Sequence, residues 1–105
     1  LMQGGAGADT LGGGAGGDTL DGGAGDDLLC GDAGADLFVF RTGDGADTVK
    51  GFDLAEDTLL LDGIGAEQVT WSEAPGALLL DYGSGTVLLR GLSVDDAASV
   101  DLAFA

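Results

Sequence analysis

Four aspartates recur every nine residues near the start of the chain, namely Asp9, Asp18, Asp27 and Asp36. Each is the sixth residue of a glycine-rich unit whose fourth residue is always Gly and whose eighth is a large apolar residue. Carboxylate and backbone carbonyl oxygens are the ligands that Ca²⁺ prefers in proteins. The repeated carboxylates therefore predict a regular series of metal sites built from oxygen ligands.

The charge of the chain narrows the possible partners. The chain has 105 residues, of which 19 are acidic and 3 are basic, so its formal net charge is −16. This self-repulsion opposes a compact state unless counter-charge is supplied, and bound divalent cations would supply it. The charge argues against nucleic acid as a partner, because phosphates need a basic surface. The apolar runs are too short for membrane insertion.

Nitrogen and sulfur ligands are scarce in this chain. It contains no histidine and a single cysteine, Cys30. Without imidazole the chain lacks the commonest general base, and transition-metal sites are disfavoured. Cys30 cannot form an intramolecular disulfide, and we expect it to face outward. The expected cofactor is therefore calcium, with several ions bound through oxygen.

The elements that position these carboxylates follow from the repeat. Each unit divides into a six-residue turn and a three-residue strand, and residues 4–9, 13–18, 22–27 and 31–36 form turns 1 to 4. The apolar eighth residues should stack inside the fold, namely Leu11, Leu20, Leu29 and Phe38. Two units form one coil, and coils stack about 4.8 Å apart, so turn 1 lies under turn 3 and turn 2 under turn 4. A cation between stacked turns would collect about six oxygens.

These tandem units resemble the RTX, or hemolysin-type, calcium-binding nonapeptide repeats, and the resemblance covers residues 1–39. It implies an all-β fold, a right-handed parallel β-roll with calcium between its stacked turns. The ligands implied for a first site are Gly5, Gly7, Asp9, Gly22, Ala24 and Asp27. The ligands implied for a second site are Gly14, Gly16, Asp18, Gly31, Ala33 and Asp36. Asp32 stands where the family pattern has Gly, which weakens the prediction of a site above turn 4.

Residues 36–62 are similar to the segment that closes the β-roll in serralysin-type metalloproteases, bacterial lipases and related proteins exported by type I secretion. The resemblance implies a third site in which Asp44 and Asp47 lie over turn 3, with Gly23, Gly25 and Asp27. Three further acidic residues, Asp53, Glu56 and Asp57, are interpreted as a solvated acidic turn.

The remaining sequence predicts a cap on the open end of the roll. Residues 68–92 alternate as antiparallel strands with a hairpin turn at residues 83–85, and we call the whole closing part, residues 40–105, the cap. Its predicted core residues are Phe52, Trp71, Leu78, Leu80, Val87 and Leu89. A short helical turn is expected after Ser93. The fold class is thus a parallel β-roll continued by an antiparallel, sandwich-like C-terminal cap.

Both ends suggest that the chain is part of a longer protein. Met2 occupies the eighth position of a preceding unit, so we expect an upstream domain of the parent chain. Residues 101–105 are similar to the C-termini of type I exported proteins, which would make Ala105 the end of the parent. The alternative for this segment is a last edge strand.

The favoured functional hypothesis is a secreted, non-catalytic calcium-binding module that folds on extracellular calcium and supports type I secretion and folding of a larger protein. Its partners would be calcium ions, the type I secretion machinery and the upstream domain. The alternative is a calcium-dependent polysaccharide- or surface-binding module, as in epimerase R-modules or adhesins. Catalysis by this chain is not expected, because the sequence has no nucleophile–base pair, zinc motif or Gly-x-Ser-x-Gly elbow. A secreted hydrolase or epimerase as the parent protein is compatible with this hypothesis.

Overall fold

The computed structural model of the chain describes residues 2–104, and for Met2 it describes the backbone alone. The expectation for Ala105 lies outside these residues. The described strands are β1 (Met2–Gln3), β2 (Thr10–Gly12), β3 (Thr19–Asp21), β4 (Leu28–Cys30), β5 (Leu37–Arg41), β6 (Gly45–Lys50), β7 (Thr58–Asp62), β8 (Thr70–Ala74), β9 (Ala77–Asp81), β10 (Gly85–Arg90) and β11 (Asp101–Phe104). Two short 3-10 helices, Ala66–Gln68 and Val94–Ser99, lie between them. No helix in this part of the chain is long and apolar enough to span a bilayer.

The strands form two sheets, and the chain alternates between them through the repeats. One sheet has the order β1-β3-β5-β7-β11, and the other has the order β2-β4-β6-β10-β9-β8. The repeat strands pair in parallel with a strand 18 residues away, so that Leu11 lies beside Leu29 and Leu20 beside Phe38. This arrangement confirms the predicted parallel β-roll.

The core lies between the two sheets. Leu20, Leu29 and Phe38 are completely buried, and Leu11 packs against them as a partly buried residue. Strands β2, β3 and β4 are three residues long, so the middle residue of each points inward while its two neighbours point outward. Phe38 has the equivalent place as the second residue of β5. Full burial of one such side chain contributes about 1.5–3 kcal/mol to folding. The predicted apolar stack is therefore confirmed.

The cap extends both sheets of the roll. Strand β10 pairs in parallel with β6 and antiparallel with β9, and β9 pairs antiparallel with β8. These strands confirm the predicted antiparallel hairpins. The C-terminal strand β11 pairs in parallel with β7, so it is an edge strand of the other sheet. Strands β7 and β11 of the cap thus continue the parallel sheet that β1, β3 and β5 begin in the roll.

The core of the cap is continuous with that of the roll. Leu78, Leu80, Val87 and Leu89 are completely buried, Phe52 is nearly so, and Trp71 packs against them. Phe52 also contacts the ring of Phe38, with ring centroids 5.9 Å apart. The short helical turn after Ser93 is present, and the backbone N–H of Ser93 donates to Asp96 Oδ2 at 2.9 Å. Cys30 is free and half-buried.

Candidate metal centre

The turns stack so closely that only glycine fits at several positions. Gly23 in turn 3 has φ +78°, and a Cβ added there would lie 2.5 Å from the carbonyl oxygen of Gly5 in turn 1. The left-handed backbone conformation and the close approach both exclude side chains. The carbonyl oxygens of Gly7 and Gly16 likewise lie directly against Gly25 and Gly34 of the turn above. Backbone carbonyls of the lower turns therefore line the space between stacked turns.

One edge of the roll carries three stacked carboxylates. We call it the first edge; it consists of turn 1, turn 3 and the first closing loop, residues 41–47. The backbone N–H of Asp9 donates to Asp27 Oδ1 at 2.8 Å, and the N–H of Asp27 donates to Asp47 Oδ1 at 2.9 Å. The carboxylates of Asp27 and Asp47 are thus each held by the backbone N–H of the aspartate below. The structure brings Asp9, Asp27 and Asp47 together on this edge, and Asp44 is buried in the same loop.

The opposite edge repeats this arrangement. This second edge consists of turn 2, turn 4 and the second closing loop, residues 51–57. The N–H of Asp18 donates to Asp36 Oδ1 at 2.9 Å, and the N–H of Asp36 donates to Asp57 Oδ1 at 2.9 Å. The second edge therefore also ends on a third carboxylate.

The interpretation of Asp57 as part of a solvated acidic turn is wrong. Asp57 is 1% exposed and belongs to the second edge, whereas Asp53 and Glu56 are exposed. The signal was in the sequence, because Asp57 is followed by Thr and Leu as Asp18 is. The longer spacing of 21 residues from Asp36 obscured it.

Each repeat aspartate leaves one oxygen without a partner. The Oδ2 atoms of Asp9, Asp18, Asp27 and Asp36 are buried and accept no hydrogen bond. A buried charged oxygen without a partner is costly, so it requires a proton or a cation. These four oxygens, next to stacked carbonyl groups, fit the hard-oxygen coordination of calcium.

The first glycine of each turn makes room for this oxygen. A Cβ on Gly22 would lie 2.5 Å from Asp27 Oδ2, and a Cβ on Gly13 would lie 2.7 Å from Asp18 Oδ2. The carboxylate therefore folds back over its own turn. Gly22 and Gly31 are buried, whereas Ala24 and Ala33 are exposed. Gly14, also assigned to the second site, donates its N–H to Asp32 Oδ2 at 3.3 Å.

Asp32 adopts the backbone conformation of the glycine that the repeat has at this place. Its φ is +63°, a left-handed value, and among the non-glycine residues of 2–104 it alone has a positive φ. Aspartate tolerates this region better than most residues because its short side chain can bond locally. The stacking of Asp36 on Asp18 is preserved.

Burial disfavours the charged form of these carboxylates unless a cation is bound nearby. It raises the pKa of Asp27, and the nearby charge of Asp9 raises it further. Burial likewise raises the pKa of Asp36 and of Asp44. Burial raises the pKa of Asp47 to about 7, with the charge of Asp27 as an additional cause. Negative charge is therefore concentrated where the fold solvates it least.

One basic side chain neutralises part of this charge. The guanidinium of Arg41 forms an ion pair with the carboxylate of Asp21, which is 5% exposed. The Nε atom of Arg41 also lies 3.6 Å from Asp62 Oδ2. The backbone N–H of Arg41 also donates to Asp44 Oδ2 at 2.9 Å. Arg41 thus supplies counter-charge beside the first edge, but it does not reach the Oδ2 atoms of the repeat aspartates.

Side chains alone do not form a metal cluster here. Within residues 2–104, no group of three or more Asp, Glu or Cys side chains is placed to hold an ion. A cation between stacked turns would contact two aspartates at most on this geometry, whereas calcium takes 6–8 oxygens. Most of its ligands must therefore be backbone carbonyls.

Comparison with known proteins agrees with this geometry. Residues 3–38 match the RTX calcium-binding nonapeptide repeat in four copies. No curated protein matches the chain. The structure of the extracellular lipase LipA from Serratia marcescens is similar, with a TM-score of 0.71, 31% identity, and 97% of this chain covered. The chain spans 20% of the length of that lipase. Residues 3–38 are therefore four repeats of the RTX calcium-binding family.

Proposed function

We propose that this chain is a calcium-responsive module that is unfolded at the low calcium concentration inside a cell and folds at the millimolar concentration outside. The observation that carries this proposal is the set of four buried Oδ2 atoms without partners, on two edges of stacked turns. Calcium bound there converts its binding free energy into folding free energy.

The energetic balance without calcium favours the unfolded chain. The formal charge is −16, and buried carboxylates with raised pKa values lie next to one another along both edges. The three-residue repeat strands bury one apolar side chain each, which is little compensation for ordering nine residues. Sites of the extracellular class have dissociation constants of about 10⁻⁴–10⁻³ M. They would therefore fill only outside the cell.

The proposed biological role is support of export and folding of a larger secreted protein. The similar lipase is extracellular, and this chain corresponds to a fifth of its length. A chain that stays unfolded until it meets calcium suits a narrow export channel, so the partners we propose are type I secretion machinery and an upstream domain. The division into roll, residues 1–39, and cap, residues 40–105, belongs to this proposal, as does a non-catalytic role for the chain itself.

Far-UV circular dichroism during a calcium titration tests this function. We expect little β structure in excess chelator and a cooperative gain of β structure between micromolar and millimolar calcium. Magnesium at equal concentration is the control, because its strict octahedral geometry and firmly held water suit this site poorly. Full β structure in chelator would contradict the proposal.

A further inference from the structure

Tyr82 is a buried polar residue of the cap that the repeat pattern does not explain. It follows β9 and precedes the hairpin turn to β10, and its side chain is completely buried. Its hydroxyl has no hydrogen-bond partner. Such a group costs about 1–3 kcal/mol when left unsatisfied, so its burial calls for a partner.

The hydroxyl lies at the top of the first edge. Gly45 of the first closing loop stacks over Gly25, since a Cβ on Gly45 would lie 2.9 Å from the carbonyl oxygen of Gly25. Gly85 stacks over Gly45 in turn, and a Cβ on Gly85 would lie 2.6 Å from the Gly45 oxygen and 2.5 Å from the Tyr82 hydroxyl. The hydroxyl thus ends a column of stacked glycines.

This end of the column faces acidic groups. Burial raises the pKa of Tyr82, and the charges of Asp47 and Asp44 contribute to the same effect. Both carboxylates are buried, and neither makes a hydrogen bond with the hydroxyl. The hairpin is also tied to the loop, because the N–H of Gly43 donates to Ser84 Oγ at 3.2 Å.

The two edges of the roll end differently. On the second edge both oxygens of Asp57 are satisfied, since Oδ1 accepts from the N–H of Asp36 and Oδ2 from the N–H of Asp53 at 2.7 Å. On the first edge, the residue that pairs with Asp47 on the next strand, β10, is Val87. Its side chain is apolar and cannot bind a cation. At this end of the edge, the Tyr82 hydroxyl is a buried polar group without a partner.

We propose that the Tyr82 hydroxyl supplies an oxygen to a third calcium site, between turn 3 and the first closing loop, together with the stacked pair Asp27 and Asp47. This inference rests on the proposed function and extends it, because it makes a cap residue part of a roll site. Calcium at this site would then bind the β9–β10 hairpin to the roll.

Calcium binding by the Tyr82→Phe variant of the whole chain tests this role. The variant keeps the buried ring and loses the hydroxyl. By calorimetric titration we expect one ion to bind about tenfold more weakly, or to be lost, while binding at the other sites is unchanged. Ser84→Ala is the matched control, because it removes a hydroxyl from the same hairpin without touching the carboxylates. Unchanged binding of every ion would overturn the role of Tyr82 and leave the proposed function intact.

Terbium luminescence gives a second readout that needs no change at Tyr82. Tyr82 is the single tyrosine and Trp71 the single tryptophan of the chain. In a Trp71→Phe variant, excitation of tyrosine should therefore sensitise Tb³⁺ bound at the third site, and calcium should quench the signal by displacement. Absence of sensitised emission, in a variant that calorimetry shows to bind Tb³⁺, would overturn the placement of Tyr82 at a site. Absence of calcium binding by the unmodified chain would instead refute the proposed function.

Discussion

The Asp27→Asn variant should separate two roles of a repeat aspartate, namely its negative charge and the hydrogen bond that it accepts from the backbone. Asp27 lies between Asp9 and Asp47 on the first edge and is 3% exposed. The amide oxygen of asparagine still accepts the hydrogen bond from the N–H of Asp9, so the loss is confined to the charge and to the unpartnered Oδ2. Asp18→Asn is the matched variant, because Asp18 has a stacked carboxylate on one side only within the described residues.

The magnitude follows from the number of sites that each aspartate serves. At a calcium concentration ten times its dissociation constant, one site adds about 1.4 kcal/mol to the free energy of unfolding. Asp27 borders two proposed sites, so Asp27→Asn should cost about 2.8 kcal/mol, and Asp18→Asn about 1.4 kcal/mol. Without calcium, the expected change in the free energy of unfolding does not have this sign. Since burial raises the pKa of Asp27, removing its charge should leave the calcium-free fold no less stable than before.

Urea unfolding followed by circular dichroism, with calcium and with chelator, measures both effects. Glu67→Gln is the charge-matched control, because Glu67 is exposed and lies far along the chain from both edges. If Asp27→Asn lost no more stability in calcium than Glu67→Gln, the reasoning would be refuted. Equal losses of stability in calcium and in chelator would show that the carboxylate stabilises the fold through its backbone hydrogen bond and not by binding a cation.

Two further predictions concern pH and the stacked glycines. In chelator, any residual fold should be more stable at about pH 5 than at about pH 8, because burial raises the folded-state pKa of Asp47 to about 7. That stabilisation is complete below the ordinary pKa of about 3.9 and is lost as the pH rises through about 7, so urea midpoints that rise with pH would contradict it. In saturating calcium, Gly23→Ala should destabilise the fold by about 1–3 kcal/mol more than Gly5→Ala. Both residues have φ near +80°, but only a Cβ on Gly23 meets the turn below, so equal urea midpoints would refute the stacking.

The repeat region was predictable because one period fixes several features together. The nine-residue spacing determines which residue points inward, and two units per coil determine which turns stack. Leu20, Leu29 and Phe38 are buried accordingly, and Asp27 and Asp36 are bound by the backbone 18 residues earlier. No tertiary information was needed for these contacts, since each joins equivalent positions of similar units 18 residues apart.

The closing part was less predictable because the period changes there. Asp47 and Asp57 follow the aspartates below them by 20 and 21 residues, so the loop lengths hide their equivalence. The repeat pattern does not predict the position of Tyr82, because its place over Gly45 depends on the parallel pairing of β10 with β6. The parallel pairing of β11 with β7 is likewise a long-range contact that local sequence does not specify.

Anomalous diffraction from crystals grown in calcium tests the central claim most directly. The account predicts calcium peaks between turns 1 and 3 and between turns 2 and 4, each next to the buried Oδ2 atoms that have no hydrogen-bond partner. Calcium peaks confined to exposed acidic residues such as Asp95, with none between the stacked turns, would contradict it.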